Sequence, residues 1–337
     1  MPLIRSDYQS PAWLRPGHVS TIFSSLLPGP AAPWTDHERL ELPDGDFLDL
    51  AWLRPPAPGN VLTDSGSGPE AKPGAPLAIL SHGLEGSLQA SYIRGMATTL
   101  AAAGWHVLAW NYRSCGGIPN RLARSYHSGE TADLRLLAER AAERYPKLDL
   151  LGFSLGGTIT LKLAAEPGLP AAIRSACAIS APVDLASSAR ALDVRRGNRL
   201  YLHRFLTTLL AKARAKSRQF PGCLDPAALT KIRTIRDFDE HVTAPLHGFA
   251  GAEDYWTRAS SLPGLPSLAV PSLLLNAAND PLLDAPSFPT EIAERSSRFF
   301  LEVPAHGGHV GFPSGIAPAR PWHEKRVLRF LESLPSF

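Results

Sequence analysis

Disulfide chemistry is the first thing this chain lacks. Its 337 residues hold only Cys115, Cys177 and Cys223, an odd and widely spaced set without a CxxC pair, which fits reduced thiols in a cytoplasmic protein. No apolar run approaches the roughly 18 residues of a membrane-spanning helix. No apolar stretch follows Arg5 near the start, so no signal peptide is expected. Net charge is nearly absent: 34 basic against 31 acidic residues leave +3, which gives no general reason to expect a nucleic-acid partner. No GxxxxGK[ST] loop is present, and no histidines at i, i+4 flank a glutamate as in a zinc helix, so neither a metal nor another cofactor is expected.

What is present is a globular composition, 44% hydrophobic and 19% charged, in a chain long enough for one large α/β domain with an insertion. Arg39–Leu42 and Phe47–Trp52 alternate apolar with polar around Asp44-Gly45 and predict a hairpin. Residues 55–76, rich in Pro, Gly and Ser, read as a flexible surface loop. Short apolar runs then alternate with helix-period segments. Strands are expected at Leu77–Leu80, His106–Trp110, Leu148–Leu151, Ala176–Ile179, Ser272–Asn276 and Phe299–Val303. Helices are expected near Tyr92–Ala103, Gly129–Arg144, Gly157–Ala165 and Trp322–Leu334. This rhythm predicts an α/β fold with a mostly parallel central sheet flanked by helices on both faces. A polar-basic helical stretch interrupts it. The expected layout is a core of 38–181 and 270–337, a helical cap insertion at about 182–269 over the carboxyl ends of the strands, and an N-terminal extension of 1–37.

The chemistry centres on Gly152-Phe153-Ser154-Leu155-Gly156, a serine placed where a strand turns abruptly into a helix. A serine hydroxyl needs a base, and the base needs a third group to hold its tautomer. For a serine on such a turn the partners follow in the order acid, then histidine, each in a loop after a strand. Asp280, directly after the strand at 272–276, is the leading acid, with Asp284 as the alternative. His309, in the loop after the last strand, is the leading base, with His306 as the alternative. The loop Ser81–Gly86 follows the strand at 77–80, and the backbone N–H groups of Leu84 and Leu155 are the expected oxyanion donors. His82 is expected to fix that loop, and Glu85 lies within reach of the same pocket. Cys115 reads as a small buried residue at a strand end.

These motifs have company along the whole chain: Pro11-Ala-Trp13-Leu14 with Gly17-His18 and Thr21, His82-Gly-Leu-Glu-Gly86, Pro119-Asn120-Arg121, Ser125-Tyr126-His127-Ser-Gly129-Glu-Thr131 with Asp133-Leu134, Thr243-Ala-Pro-Leu-His247-Gly-Phe249, Asp254-Tyr255, and His306-Gly-Gly-His309-Val-Gly311-Phe312. In that order they resemble the YheT-like (type 4) branch of the α/β-hydrolase superfamily. The resemblance implies a carboxylesterase-type site with Ser154 as nucleophile, Asp280 as acid and His309 as base. The 55–76 loop and Trp256 depart from the family pattern, and Trp256 bears on the acyl pocket.

The reading that follows is hydrolysis of carboxylic esters, with short- to medium-chain acyl or lipid-like groups, through an acyl-serine. Transfer of the acyl group to an alcohol, amide hydrolysis, and a non-catalytic binding protein of the same fold are the alternatives. Nine basic residues against the single acid Asp193 between Arg190 and Arg218 read either as a solvated helical face or as a peripheral contact with anionic membrane. Leu202, Phe205, Leu206, Leu209 and Leu210 read as an apolar acyl surface or as the core face of an amphipathic helix.

Overall fold

Both faces of the central strands are buried, which is why they read as continuous apolar runs rather than as alternating ones. The computed structural model describes residues 2–54, 74–315 and 321–335. Among these residues nine strands form one sheet: β1 (Leu3–Ile4), β2 (Asp36–Glu41), β3 (Phe47–Leu53), β4 (Leu77–Ser81), β5 (His106–Trp110), β6 (Leu148–Phe153), β7 (Ile173–Ile179), β8 (Ser272–Leu275) and β9 (Phe299–Glu302). Their order is β1-β9-β8-β7-β6-β4-β5-β3-β2. All neighbours pair in parallel except the β2–β3 hairpin and its junction with β5, which are antiparallel. Most of the loop expected at 55–76, residues 55–73, lies outside the described residues.

The helices are α1 (Gly17–Leu26), α2 (Ser91–Ala102), α3 (Ala132–Ala142), α4 (Leu155–Ala164), α5 (Leu185–Val194), α6 (Arg199–Gln219), α7 (Pro226–Leu229), α8 (Ile235–Phe238), α9 (Ala244–His247), α10 (Ala252–Ala259), α11 (Thr290–Arg295) and α12 (Trp322–Ser333). One sheet face carries Leu77, Ile79, Leu108 and Leu150 against Leu134 and Leu137 of α3 and Ile159 of α4. The other carries Ala78, Leu80, Val107 and Leu151 against Ile93 and Met96 of α2 and Val327 of α12. Each such Leu, Ile or Val side chain taken out of water stabilises the fold by about 1.5–3 kcal/mol. No described helix is long and apolar enough to cross a membrane.

Between β7 and β8 the regular structure is all helical, α5 to α10, with a π-helical turn at Asp239–Thr243. Asp184 caps α5 by accepting the Ser187 N–H, and Thr234 with Asp237 forms a capping box on α8. These helices have their own apolar core. Leu206 and Leu209 are buried in it, while Leu202, Phe205 and Leu210 pack partly against it. The stretch expected only as an N-terminal extension is structured: β1 extends the sheet beyond β9, a 3-10 turn follows at Ala12–Leu14, and α1 runs to the loop that follows β9.

Candidate active site

In a parallel sheet every strand ends at the same edge, so the loops after β4, β6, β8 and β9 converge. Ser154 sits between the last residue of β6 and the first of α4 with φ 52° and ψ −122°. A non-glycine residue there is strained, and the strain lifts its side chain clear of the sheet. The turn closes only because two neighbours lack side chains. A Cβ on Gly152 would come 2.1 Å from the Gly156 carbonyl oxygen, and one on Gly156 would come 2.4 Å from that of Ser81.

His309 brings its Nε2 to 2.9 Å from Ser154 Oγ, and its Nδ1 to 2.8 Å from Asp280 Oδ2. A carboxylate only accepts, so Nδ1 carries the proton and Nε2 presents a lone pair to the serine hydroxyl. The Asp280 side chain is wholly buried and its other oxygen accepts the Leu282 N–H at 2.9 Å. Asp284 stands apart: it accepts the Ala285 N–H and pairs with Arg195 at 3.2 Å. His306 makes no hydrogen bond through its buried Nδ1 among the described residues.

The loop after β4 is fixed in a way that singles out one amide. The Gly83 N–H donates to Tyr92 Oη at 2.9 Å, the Glu85 N–H to Tyr126 Oη at 3.0 Å, and the Gly86 N–H to the Gly83 carbonyl at 3.0 Å. Leu84 N–H bonds to no described residue. Leu155 opens α4, where first-turn amides lack intrahelical acceptors and the helix dipole is positive. His82 is fully buried; its Nδ1 donates to the Gly83 carbonyl and its Nε2 accepts the Tyr112 N–H. Burial pushes its pKa down to about 4, so at neutral pH it is an uncharged brace for this loop.

Comparison with known proteins identifies the family of the fold. A family model described as the alpha/beta hydrolase fold matches residues 76–315. YheT of Escherichia coli (strain K12), an esterase by name, is 36% identical over 298 residues, covering 86% of this chain and 82% of that protein. The chain belongs to the YheT-like α/β hydrolases. Human phospholipase ABHD3 is 26% identical over 331 residues, covering 97% of this chain and 79% of that protein. Among solved structures the Pyrococcus furiosus esterase Pf2001 superposes with a TM-score of 0.53 at 18% identity, over 90% of this chain and 95% of that one, a likeness of fold.

In this YheT-like hydrolase a cavity of about 310 Å³ opens beside Leu84 and Leu155 and runs under the α5–α10 helices, walled by Leu209, Phe238, Val242 and Tyr255 among others. That volume lies at the lower end of the roughly 300–1,000 Å³ usual for small-molecule sites. Glu85 lines it with its carboxylate occupied, accepting Tyr126 Oη and pairing with Lys212 Nζ of α6, both at 2.7 Å. Asp239 lines it from the π-helical turn, where its pKa is raised to about 7 by burial, against hydrogen bonds from Thr243 and Trp256. Trp256 thus stands behind the wall, reaching the cavity through Asp239. Cys115 is half-buried, with burial pushing its thiol up to about 11, which leaves it protonated and unsuited to nucleophilic attack. No described cluster of His, Cys, Asp and Glu could hold a metal ion.

Several residues that the reading by strand order did not assign support the histidine loop. Thr21 Oγ1 of α1 accepts the His309 N–H at 2.8 Å and donates to the Gly17 carbonyl at 2.7 Å. Ser20 donates to the Gly307 carbonyl, Asn279 accepts the Gly308 N–H, and Ser180 accepts the Val310 N–H. The signal available beforehand was Thr21 itself, which stands in a matching motif far upstream in sequence.

Proposed function

We propose that this α/β hydrolase cleaves carboxylic esters through an acyl-Ser154 intermediate. The observation that carries the reading is the continuous relay Asp280–His309–Ser154 at 2.8 and 2.9 Å, with a largely apolar cavity lined by Leu155, the residue next to Ser154. Ser154 Oγ attacks the ester carbonyl while His309 Nε2 takes its proton, and Asp280 stabilises the imidazolium. The oxyanion accepts from the N–H groups of Leu84 and Leu155; one such donor is worth about 3–4 kcal/mol in the transition state. Collapse expels the alcohol, which leaves with the proton held by His309. Water then attacks the acyl-enzyme, His309 takes and returns the proton, and the carboxylic acid departs.

The helices α5–α10 act as a cap, spanning about 182–269, and Leu209, Phe238 and Val242 supply the surface for a short- to medium-chain acyl group. The phospholipase and esterase names of its relatives favour lipid-like or simple esters as substrates. The unpaired cysteines favour a reducing, cytoplasmic setting. Intact-mass analysis after fluorophosphonate treatment, paired with a panel of p-nitrophenyl esters, tests the reading. One adduct and measurable turnover on the wild type, both absent in Ser154→Ala, are expected. A wild type that is folded, unlabelled and inactive would favour a binding protein instead.

A further inference from the structure

Helix α1 is built inside out. Its hydroxyl residues Ser20 and Thr21 are buried and hold the histidine loop. Its apolar residues Val19, Ile22, Phe23 and Leu26, at the i, i+3, i+4, i+7 spacing of one helical face, lie on the other side, with Leu26 76% exposed. Trp13, itself 52% exposed, packs edge-on against Phe23 with ring centres 4.9 Å apart. A helix facing water carries the reverse arrangement.

A second exposed apolar pair adjoins this stripe. Val194 and Leu200 are 68% and 63% exposed at the α5–α6 junction. The junction touches α1 directly: His18 Nδ1 lies 3.2 Å from Tyr201 Oη, and Gly197 approaches so closely that a Cβ would come 2.6 Å from His18 Nε2. The polar residues set among these apolar ones are of one sign. Residues 11–26 and 194–204 contain no acidic side chain. Arg15, Arg196 and Arg199 are exposed and form no ion pair with a described residue.

We infer that the outer face of α1 with the α5–α6 junction is a docking surface for an anionic phospholipid bilayer. Exposed apolar side chains enter the acyl boundary while the arginines meet the headgroups, the arrangement by which surface-lying helices bind. The contact falls on α1 and the start of α6, rather than along the whole basic stretch from Arg190 to Arg218. Both touching segments also hold the candidate site: Thr21 bonds His309, and Asn198 donates to the Pro281 carbonyl next to Asp280. Docking would therefore bear directly on the loops that carry His309 and Asp280.

The test is co-sedimentation of the full chain carrying Ser154→Ala with vesicles of equal phosphatidylglycerol and phosphatidylcholine. Binding read on this background stands or falls apart from ester cleavage. Sedimentation with these vesicles, weak sedimentation with pure phosphatidylcholine, and release by salt are expected. Ile22→Asp with Leu26→Asp should weaken binding on the order of a hundredfold, and Arg196→Gln with Arg199→Gln about 25-fold. All four positions are exposed, so unchanged circular dichroism and melting temperature certify the fold. No sedimentation with the anionic vesicles, or equal binding by the Ile22→Asp/Leu26→Asp chain, would overturn the inference. So would a wild-type dimer, seen by sedimentation velocity, that the same substitutions split, since a second copy would then cover the face.

Discussion

Lowering the pH from 7 to 5 should destabilise this protein, and the size of the effect follows from its buried histidines. His82 and His323 are fully buried, and burial holds each near a pKa of about 4 against an ordinary 6.5. The unfolded chain therefore takes up a proton at each site below 6.5 while the folded chain does not. Their contribution is fully present above 6.5 and is lost as the pH falls toward 4. At pH 5 the loss is about 2 kcal/mol for each. His127 and His247, whose rings meet at 4.6 Å in the cavity wall, are lowered to about 3 and 4 by burial and act in the same direction. Asp239 acts against them. Its pKa, raised to about 7, makes the folded state the better proton binder between 3.8 and 7, which returns about 2 kcal/mol over the same interval. A net loss of about 2–5 kcal/mol remains, a large share of the roughly 5–15 kcal/mol typical of folded domains.

Urea unfolding at pH 7 and pH 5, at constant ionic strength, measures this difference. His82 gives the sharper check because protonation would turn its Nε2 against the Tyr112 N–H it now accepts at 3.3 Å. His82→Asn removes the titration, so the gap between the two pH values should shrink by about 2 kcal/mol, although the variant starts less stable at pH 7. A wild type as stable at pH 5 as at pH 7, or an unchanged gap in the variant, would refute the argument.

Thr21→Val keeps the side-chain shape but leaves the His309 N–H and the Gly17 carbonyl without their partner, at a cost of about 1–3 kcal/mol. Ester turnover should show kcat falling more than KM rises, with Thr21→Ser restoring it; an unaffected kcat would remove α1 from the support of the site. Asp280→Asn should lower kcat by up to about 10⁴-fold, since the amide can hold His309 in the wrong tautomer. Asp284→Asn should change kcat little, because that carboxylate only caps Ala285 and meets Arg195 at the surface. The opposite ranking in the same assay would move the acid role to Asp284.

The uneven legibility of this molecule has a physical cause. The sheet could be read because burial on both faces writes near-continuous apolar runs into β4–β8, and the serine turn because it forbids a side chain at Gly152 and Gly156. Strand order narrowed the acid to Asp280 or Asp284 and the base to His306 or His309. What separates each pair is a contact made across the fold, which no local pattern encodes. Helix α1 keeps the helical spacing in Val19, Ile22, Phe23 and Leu26, but periodicity assigns its faces the wrong way round, because that method takes the apolar face to be the inward one. Here the inward face is Ser20 and Thr21, committed to hydrogen bonds with the 307–309 loop, and the outward face is Val19, Ile22 and Leu26. Local rules fail most where a segment serves something beyond the core. The helix whose faces are reversed is accordingly the one that grips the histidine loop on one side and offers an unpartnered apolar face on the other. A single substitution on each side separates the two roles: Thr21→Val should slow turnover of a water-soluble ester, whereas Leu26→Asp should leave that turnover intact and weaken only vesicle binding.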